Sequence, residues 1–279
     1  MALERPEIVL PERLFGIIGY PLGHSLSPLI HNRAFADRNL PFVYLAWSLK
    51  ADALPVFVQS VRILPISGLS VTIPHKENIL PLLDKLTARA ARTGAVNTVF
   101  WDKQELWGEN TDCGGVIAPL LRKGIQPNSV LILGCGGAAR ACCQGLRELG
   151  VGCILVAARN QDRLRVLERD FGVSGVSWEH RADPRVELLV NATPLGMAGA
   201  GQARVPYPPE DLAKCEIVYD LVYNPLHTRL LQEAKARGRA CISGVEMFVH
   251  QAAGQFRLWT GQEFPVAATR DLVLSRLSG

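Results

Sequence analysis

Lys76, in Val71-Thr-Ile-Pro-His-Lys76, stands where a strand is expected to end and a helix to open, and Asp112, in Gly108-Glu-Asn-Thr-Asp112, in a polar run at the expected domain boundary. An ammonium beside a carboxylate forms a charge-assisted pair. The pair fixes the amine and tunes its proton affinity, as a group that exchanges protons during a reaction requires. Each residue also has a plainer reading: a solvated lysine, and an N-cap for a helix beginning near Gly115. Asn97, within Gly94-Ala-Val-Asn-Thr98, could bond a substrate hydroxyl or only cap a strand end. In Gly19-Tyr-Pro-Leu-Gly-His-Ser-Leu-Ser-Pro28, Ser25 and Ser27 bring two hydroxyls to the start of a helix, a seat for a carboxylate. Ser27 alone also reads as that helix's N-cap. His75 reads as a packing or surface residue.

A second kind of chemistry is written in Gly134-Cys-Gly-Gly-Ala-Ala-Arg140. Gly134, Gly136 and Gly137 follow an apolar strand and open a helix. There the backbone can turn tightly and free N–H groups can meet a pyrophosphate. The G-x-G-x-x-G pattern stops short, with Ala139 in third place, but a small residue still allows close helix–strand packing. The strand–turn–helix setting points to a dinucleotide site, against a plain tight turn. The end of the next strand discriminates between dinucleotides: an acid holds the ribose 2′-hydroxyl of NAD, whereas Arg accepts the 2′-phosphate of NADP. Arg159 stands there with Arg163 one turn later, and residues 157–160 hold no acid. NADP is favoured, with Asp162 as the opposing feature and two surface arginines as the plain alternative. Nicotinamide chemistry moves a hydride, so the protein must handle the proton, and Lys76 is a candidate for that role.

The elements that must position these groups alternate. Residues 14–19 read as a strand, 28–38 as a helix opened by Ser27, 41–48 as a strand, 52–62 as a helix and 68–73 as a strand. A helix is expected over 76–86, which would set Lys76 at the carboxyl edge of a mostly parallel sheet. A second unit starts after Gln126-Pro-Asn-Ser129, with strands at 130–133 and 153–157, a helix between them to about 149, and strands at 188–190 and 217–219. The chain is therefore α/β with two domains divided near residue 113. The helical stretch from Val245 could fold back onto the first.

Composition narrows the function. Apolar residues make up 48% of the chain, enough for a sizeable core, which excludes a disordered protein. Thirty Lys and Arg against 26 Asp and Glu give a net charge of +4, compatible with small anions and unlike a nucleic-acid-binding profile. The basic stretch from Arg159 to Arg169 is interleaved with Asp162 and Glu168 and reads mostly as a solvated helix face. No apolar run is long enough for a membrane helix, and the charged start lacks a secretory pattern. Seven scattered cysteines suggest neither a disulfide framework nor a metal site, so a reducing cytoplasm is expected.

Together these segments resemble the shikimate dehydrogenase family over residues 14–255. The resemblance is carried by Gly19-x-Pro-x-x-His-Ser-x-Ser-Pro28, Val71-Thr-x-Pro-x-Lys76, Gly94-Ala-Val-Asn-Thr98, Asn110-Thr-Asp112, Gly134-x-Gly-Gly-Ala138, Asn191-Ala-Thr193, Tyr219-Asp-x-x-Tyr223 and Gly244-x-x-Met247-x-x-x-Gln251. It implies reversible NADPH-dependent reduction of 3-dehydroshikimate to shikimate, on the chorismate route to aromatic amino acids. The implied architecture is a substrate domain over residues 1–112, completed by helices in 246–279, and a Rossmann-like NADP-binding domain over 113–245. Lys76 and Asp112 are the implied catalytic pair. Ser25 and Ser27 would hold the substrate carboxylate with Tyr223 nearby, and Thr72, Asn97 and Gln251 would bond its hydroxyls. The implied cofactor contacts are Gly134, Gly136, Gly137, Ala138, Arg159, Asn160, Arg163, Asn191, Thr193, Leu221 and Gly244. No metal is implied; the partner is a small molecule, without nucleic acid or membrane, and the chain a monomer or homodimer.

Two departures bear on this. Cys113 replaces a usual Gly after Asp112, a strained choice if that position has φ > 0. Ala158-Arg159-Asn160 stands for Asn-Arg-Thr, which leaves dual NADP and NAD use open, since the Asn160 amide could replace the lost hydroxyl. The competing readings are a quinate/shikimate enzyme using NAD, a non-catalytic dinucleotide sensor, and a reductase of a folate or amino acid on a similar fold. Both serines and Arg159 favour shikimate and NADP. Lys76 with Asp112 speaks against a sensor, and the polar residue set against a larger apolar pocket.

Overall fold

A computed structural model describes residues 10–23 and 25–278. His24 of the Ser25/Ser27 segment lies outside the described residues. The apolar run expected as the first strand is β1 (Arg13–Gly19), and it pairs in parallel with β2 (Phe42–Ser48) and β3 (Ile66–Val71). Helix α1 (Ser27–Asp37) and helix α2 (Leu54–Val61) fill the crossovers. Leu26, not Ser27, occupies the N-cap of α1; Ser27 is the first helical residue and is buried. Proline at the next position suits a helix start, because its missing N–H would have had no partner there.

The helix expected over 76–86 is absent. That stretch forms turns, one 3₁₀ turn at Leu80–Leu82 and the short strand β4 (Lys85–Leu86). Pro81 explains the difference: inside an α-helix it would remove a hydrogen bond and clash with the preceding turn. After α3 (Ala88–Thr93) comes a hairpin of β5 (Thr98–Asp102) and β6 (Glu105–Glu109), with Lys103 in the left-handed region at its tip. β5 runs antiparallel to both β3 and β6, so this sheet, ordered β2-β1-β3-β5-β6-β4, is mixed.

Helix α4 (Asp112–Arg122) leads to a wholly parallel second sheet of β7 (Ser129–Leu133), β8 (Cys153–Ala158), β9 (Ser174–Ser177), β10 (Val186–Asn191), β11 (Cys215–Asp220) and β12 (Ala240–Ser243). Helices α5 (Gly137–Glu148), α6 (Gln161–Phe171) and α7 (Arg229–Ala236) connect its strands. The order is β12-β11-β10-β7-β8-β9, so the chain goes one way from β7 to β8 and then crosses to β10 on the other side of β7. Such a reversal opens a crevice at the carboxyl ends of β7 and β10. The turns after those two strands meet: a Cβ on Gly134, whose φ is +112°, would lie 3.1 Å from the Ala192 carbonyl oxygen.

Helix α8 (Gly244–Thr260) then leaves the second sheet and packs on the first, followed by α9 (Val266–Ser278). Its Phe248, Val249, Ala252, Phe256 and Trp259 share one core with Phe15, Ile30 and Phe35. Gly68 makes room for this: a Cβ there would come within 2.4 Å of Trp259 Nε1, which instead donates to the Val99 carbonyl at 3.0 Å. Gly115 and Gly254 likewise let α4 and α8 lie close, with Gln251 and Thr111 at the contact. Cys113 has no positive φ; it is a buried residue of α4, so the strain expected of it does not arise. No helix among the described residues is long and apolar enough to cross a membrane, and no cluster of metal-ligating side chains occurs among them.

Candidate active site

Lys76 leaves the end of β3 through Pro74 and His75, and its backbone carbonyl accepts from the Val96 N–H at 2.8 Å. His75 is buried against the Leu49 carbonyl at 2.7 Å, a packing residue. Lys76 Nζ meets Asp112 Oδ2 at 2.5 Å, with side chains only 16% and 5% exposed. Asp112 is the first residue of α4, where the helix dipole favours its negative charge, and Thr111 is the N-cap. The carboxylate's other oxygen, Oδ1, accepts from Asn97 Nδ2 at 2.8 Å. Asn97 Nδ2 also lies 2.9 Å from Thr111 Oγ1 and 3.4 Å from Gln251 Oε1. Lys76, Asp112, Asn97 and Gln251 thus come together from β3, α4, the β5 entry and α8. The Lys76 ammonium is thereby held in place by one fixed carboxylate in a largely buried setting.

The aliphatic stem of Lys76 rests on the glycine-rich turn. A Cβ on Gly137 would lie 3.2 Å from Lys76 Cδ, a tight contact that the glycine relieves. Gly136 is an extended N-cap and no side chain caps α5, which leaves its first N–H groups for an anion. Ala138 follows in the same first turn.

Ser25 lies beside both Ser27 and Tyr223. Ser25 Oγ accepts from the Ser27 N–H at 3.4 Å. Tyr223 stacks on Phe248 with ring centroids 4.4 Å apart. Burial raises the Tyr223 phenol above its ordinary pKa, with Leu26 and Ser25 beside it. Two hydroxyls and a protonated phenol form a donor set for a carboxylate. Thr72 stands at the carboxyl end of β3, between the serines and Lys76 in chain position, and a Cβ on Gly19 would strike its Cγ2 at 2.3 Å.

Arg159 follows β8 directly, exposed and without an ion pair among the described residues. Asn160 caps α6, its Oδ1 accepting from the Arg163 N–H at 2.9 Å, and Arg163 pairs with Glu77 of the first half. Asn191 is fully buried. Its Oδ1 accepts from the N–H and hydroxyl of Thr193, and its Nδ2 donates to the Leu195 carbonyl and to Asp220 Oδ1. Asn191 and Thr193 therefore shape the turn from within. Gly244 lets α8 start against Leu221, whose carbonyl oxygen a Cβ would meet at 2.4 Å.

Asp220 is a residue to which the sequence reading gave no role, although it lies in Tyr219-Asp-x-x-Tyr223. It ties Asn191 to the Val222 N–H and the Thr228 hydroxyl, and so fixes the loop that carries Leu221 and Tyr223. Burial pushes its carboxyl up to about 6 despite those donors. The folded state holds this proton more tightly than the unfolded chain. The group's stabilising contribution is therefore complete below about pH 4 and lost as pH rises through about 6. Asp220→Asn does not titrate, so the stability of wild type relative to this variant should fall between about pH 4 and about pH 7 in urea unfolding. Parallel profiles would show that Asp220 is not the titrating group.

Residues 17–99 match the family model of the shikimate dehydrogenase substrate binding domain, and residues 244–274 that of the shikimate 5′-dehydrogenase C-terminal domain. The chain is 45% identical over 271 residues to the NADP(+) shikimate dehydrogenase of Maridesulfovibrio salexigens, covering 97% of this chain and 100% of that one. Shikimate 5-dehydrogenase from Thermus thermophilus, solved with NADP(H) and shikimate, superposes with a TM-score of 0.86 at 37% identity, covering 94% of this chain and 99% of that one. Quinate dehydrogenase from Corynebacterium glutamicum, solved with NAD, gives 0.85 at 32% identity over 94% and 99%.

Proposed function

The chain belongs to the shikimate dehydrogenase family, and we propose that Lys76 and Asp112 carry the proton transfer of its NADPH-dependent reduction of 3-dehydroshikimate to shikimate. The observation behind this is the desolvated Lys76–Asp112 pair, lying on Gly137 of the glycine-rich turn. The cofactor, NADP, fits the chain's own features: the start of α5 at an N-cap glycine with no capping side chain, the crevice at the strand-order reversal, and Arg159 at the end of β8, without an ion pair among the described residues. When bound, it supplies or accepts the hydride. Gly134, Gly136, Gly137 and Ala138 would hold its pyrophosphate, and Arg159, Asn160 and Arg163 its 2′-phosphate. Leu221 and Gly244 would border the nicotinamide, with Asn191 and Thr193 shaping the adjoining turn.

Residues 1–112 with 246–279 are the substrate unit in this reading, and 113–245 the cofactor unit; residues 1–9, 24 and 279 lie outside the described residues. Ser25, Ser27 and Tyr223 hold the substrate carboxylate. Thr72, Asn97 and Gln251 bond its hydroxyls, which fixes the reacting carbon and excludes water. In the reducing direction Lys76 donates its proton to the oxygen of the former carbonyl, and in oxidation it takes that proton back. Asp112 stabilises the ammonium and aims it. The reading places the reaction in the cytoplasm, with a small molecule as partner, neither nucleic acid nor membrane, and the chain as a monomer or homodimer.

Initial rates of shikimate and quinate oxidation, each with NADP and with NAD, test it. Shikimate with NADP should dominate. Quinate turnover with NAD would move the chain toward the quinate branch and overturn the phosphate role of Arg159. Silence in all four assays would mean that the fold serves as a non-catalytic dinucleotide sensor.

A further inference from the structure

Behind the reactive pair, α8 inserts Gln255 into the first sheet, where it is 2% exposed. Its amide nitrogen donates to the Asn97 carbonyl at 3.0 Å and to Thr98 Oγ1 at 3.2 Å. Its oxygen accepts from Ser70 Oγ at 2.8 Å and lies 3.3 Å from His31 Nε2. The orientation of this amide is determined, because a backbone carbonyl only accepts and the nitrogen must face Asn97. Burial pushes His31 down to about 3, so its ring is neutral and carries its proton on Nε2, toward Gln255. Upstream, the Tyr44 hydroxyl donates to Ser70 Oγ at 2.6 Å, which commits Ser70's own proton to Gln255. The Ser27 side chain lies beside the same phenol.

Downstream the direction carries on. Thr98 Oγ1 accepts from Gln255, which leaves its proton for Asn97 Oδ1 at 2.8 Å. The Thr111 N–H donates to that same oxygen at 2.7 Å. With its oxygen claimed on one side, the Asn97 amide turns its nitrogen to Asp112 Oδ1. A flipped Asn97 would set oxygen against carboxylate.

We propose that Gln255 is a positioning residue for the proton transfer: it holds the Asn97 backbone carbonyl and, through Thr98, adds a second donor to the amide oxygen that the Thr111 N–H orients, and so holds Asn97 and the Asp112 carboxylate toward Lys76. It touches neither substrate nor the reacting atoms. The relay runs from Tyr44 to the proton-transfer pair through side chains of β2, β3, α8 and β5. This inference rests on the roles proposed above for Lys76 and Asp112.

Gln255→Met keeps the length of the side chain and removes its donors and acceptor. It should lower kcat for shikimate oxidation by about tenfold or more, as loss of support for a charge-assisted bond implies, with KM for NADP unchanged. Thr98→Val should do the same, and Thr98→Ser, which keeps the hydroxyl, should retain the wild-type rate. Because both variants act through one hydroxyl, the double variant should be no slower than the slower single one. A folded Gln255→Met with kcat within about twofold of wild type, or losses that multiply in the double variant, would overturn the proposal. Thermal unfolding checks folding. If Gln255→Met does not fold, the Thr98→Val and Thr98→Ser pair decides, equal rates in the two overturning the relay. Lys76→Met separates the levels: full rate there would remove the reading beneath, whereas full rate only in the Gln255 and Thr98 variants would remove this inference alone.

Discussion

Lys76→Met should lower kcat for shikimate oxidation by about 10³-fold, inside the range that positioned acid–base groups supply. KM for shikimate should move much less, since the carboxylate and hydroxyl contacts are assigned to other side chains. Methionine keeps a long apolar stem against Gly137, so the packing between the two halves is retained. What it removes is the ammonium, and with it the partner of a carboxylate that is 5% exposed. Asp112 is then buried and unpaired, so the variant should also unfold at lower temperature. Asp112→Asn keeps the shape of the site and should cost about a hundredfold, because the lysine loses its orienting charge. In the double variant the losses should not multiply, as expected of residues acting as a unit. A folded Lys76→Met that keeps a tenth or so of the rate would end the role assigned to the lysine.

The second large effect concerns the cofactor. Arg159→Ala together with Arg163→Ala should lower kcat/KM for NADP by about a hundredfold and leave that for NAD nearly unchanged, since two charge-assisted bonds to one phosphate are lost. The single variants should differ. Arg159 has no ion-pair partner among the described residues, while Arg163 is already held by Glu77 of the first half. Arg159→Ala should therefore carry most of the loss. Equal losses with NADP and NAD would mean that the arginines act on the fold rather than on the 2′-phosphate. Asn160 is tied to the α6 N-cap through Oδ1, so replacing it should weaken the helix start as well as any phosphate contact.

Much of this protein follows from local pattern. The apolar runs at 14–19, 130–133 and 153–157 form strands because side chains buried on both faces favour continuous hydrophobic sequence. In the glycine-rich turn, Gly134 takes a positive φ that residues with a Cβ rarely adopt, and a Cβ at Gly137 would crowd the stem of Lys76. The 76–86 segment misleads because its polar and apolar spacing suits a helix that Pro81 forbids. The hairpin of β5 and β6 escapes the alternating strand–helix pattern, its tip held by a lysine in a conformation that no glycine announces.

The types and order of the reactive residues were legible in the sequence, and so was the family that the whole set resembles. The pairing of Lys76 with Asp112, 36 positions away, was legible through that resemblance. The groups behind the pair were not: Gln255 meets the Asn97 carbonyl across 158 positions. Nothing in helical or strand periodicity reaches so far, because periodicity records only which face of an element is buried. Whether Asp112 caps a helix or grips a lysine, and whether Asn191 faces a ligand or its own turn, depends on what the neighbouring elements leave unsatisfied once packed. A buried polar group must find a partner wherever the tertiary structure has put one. The sequence therefore decided which groups the site contains, and the packing of α4 and α8 against the first sheet decided which of them face each other.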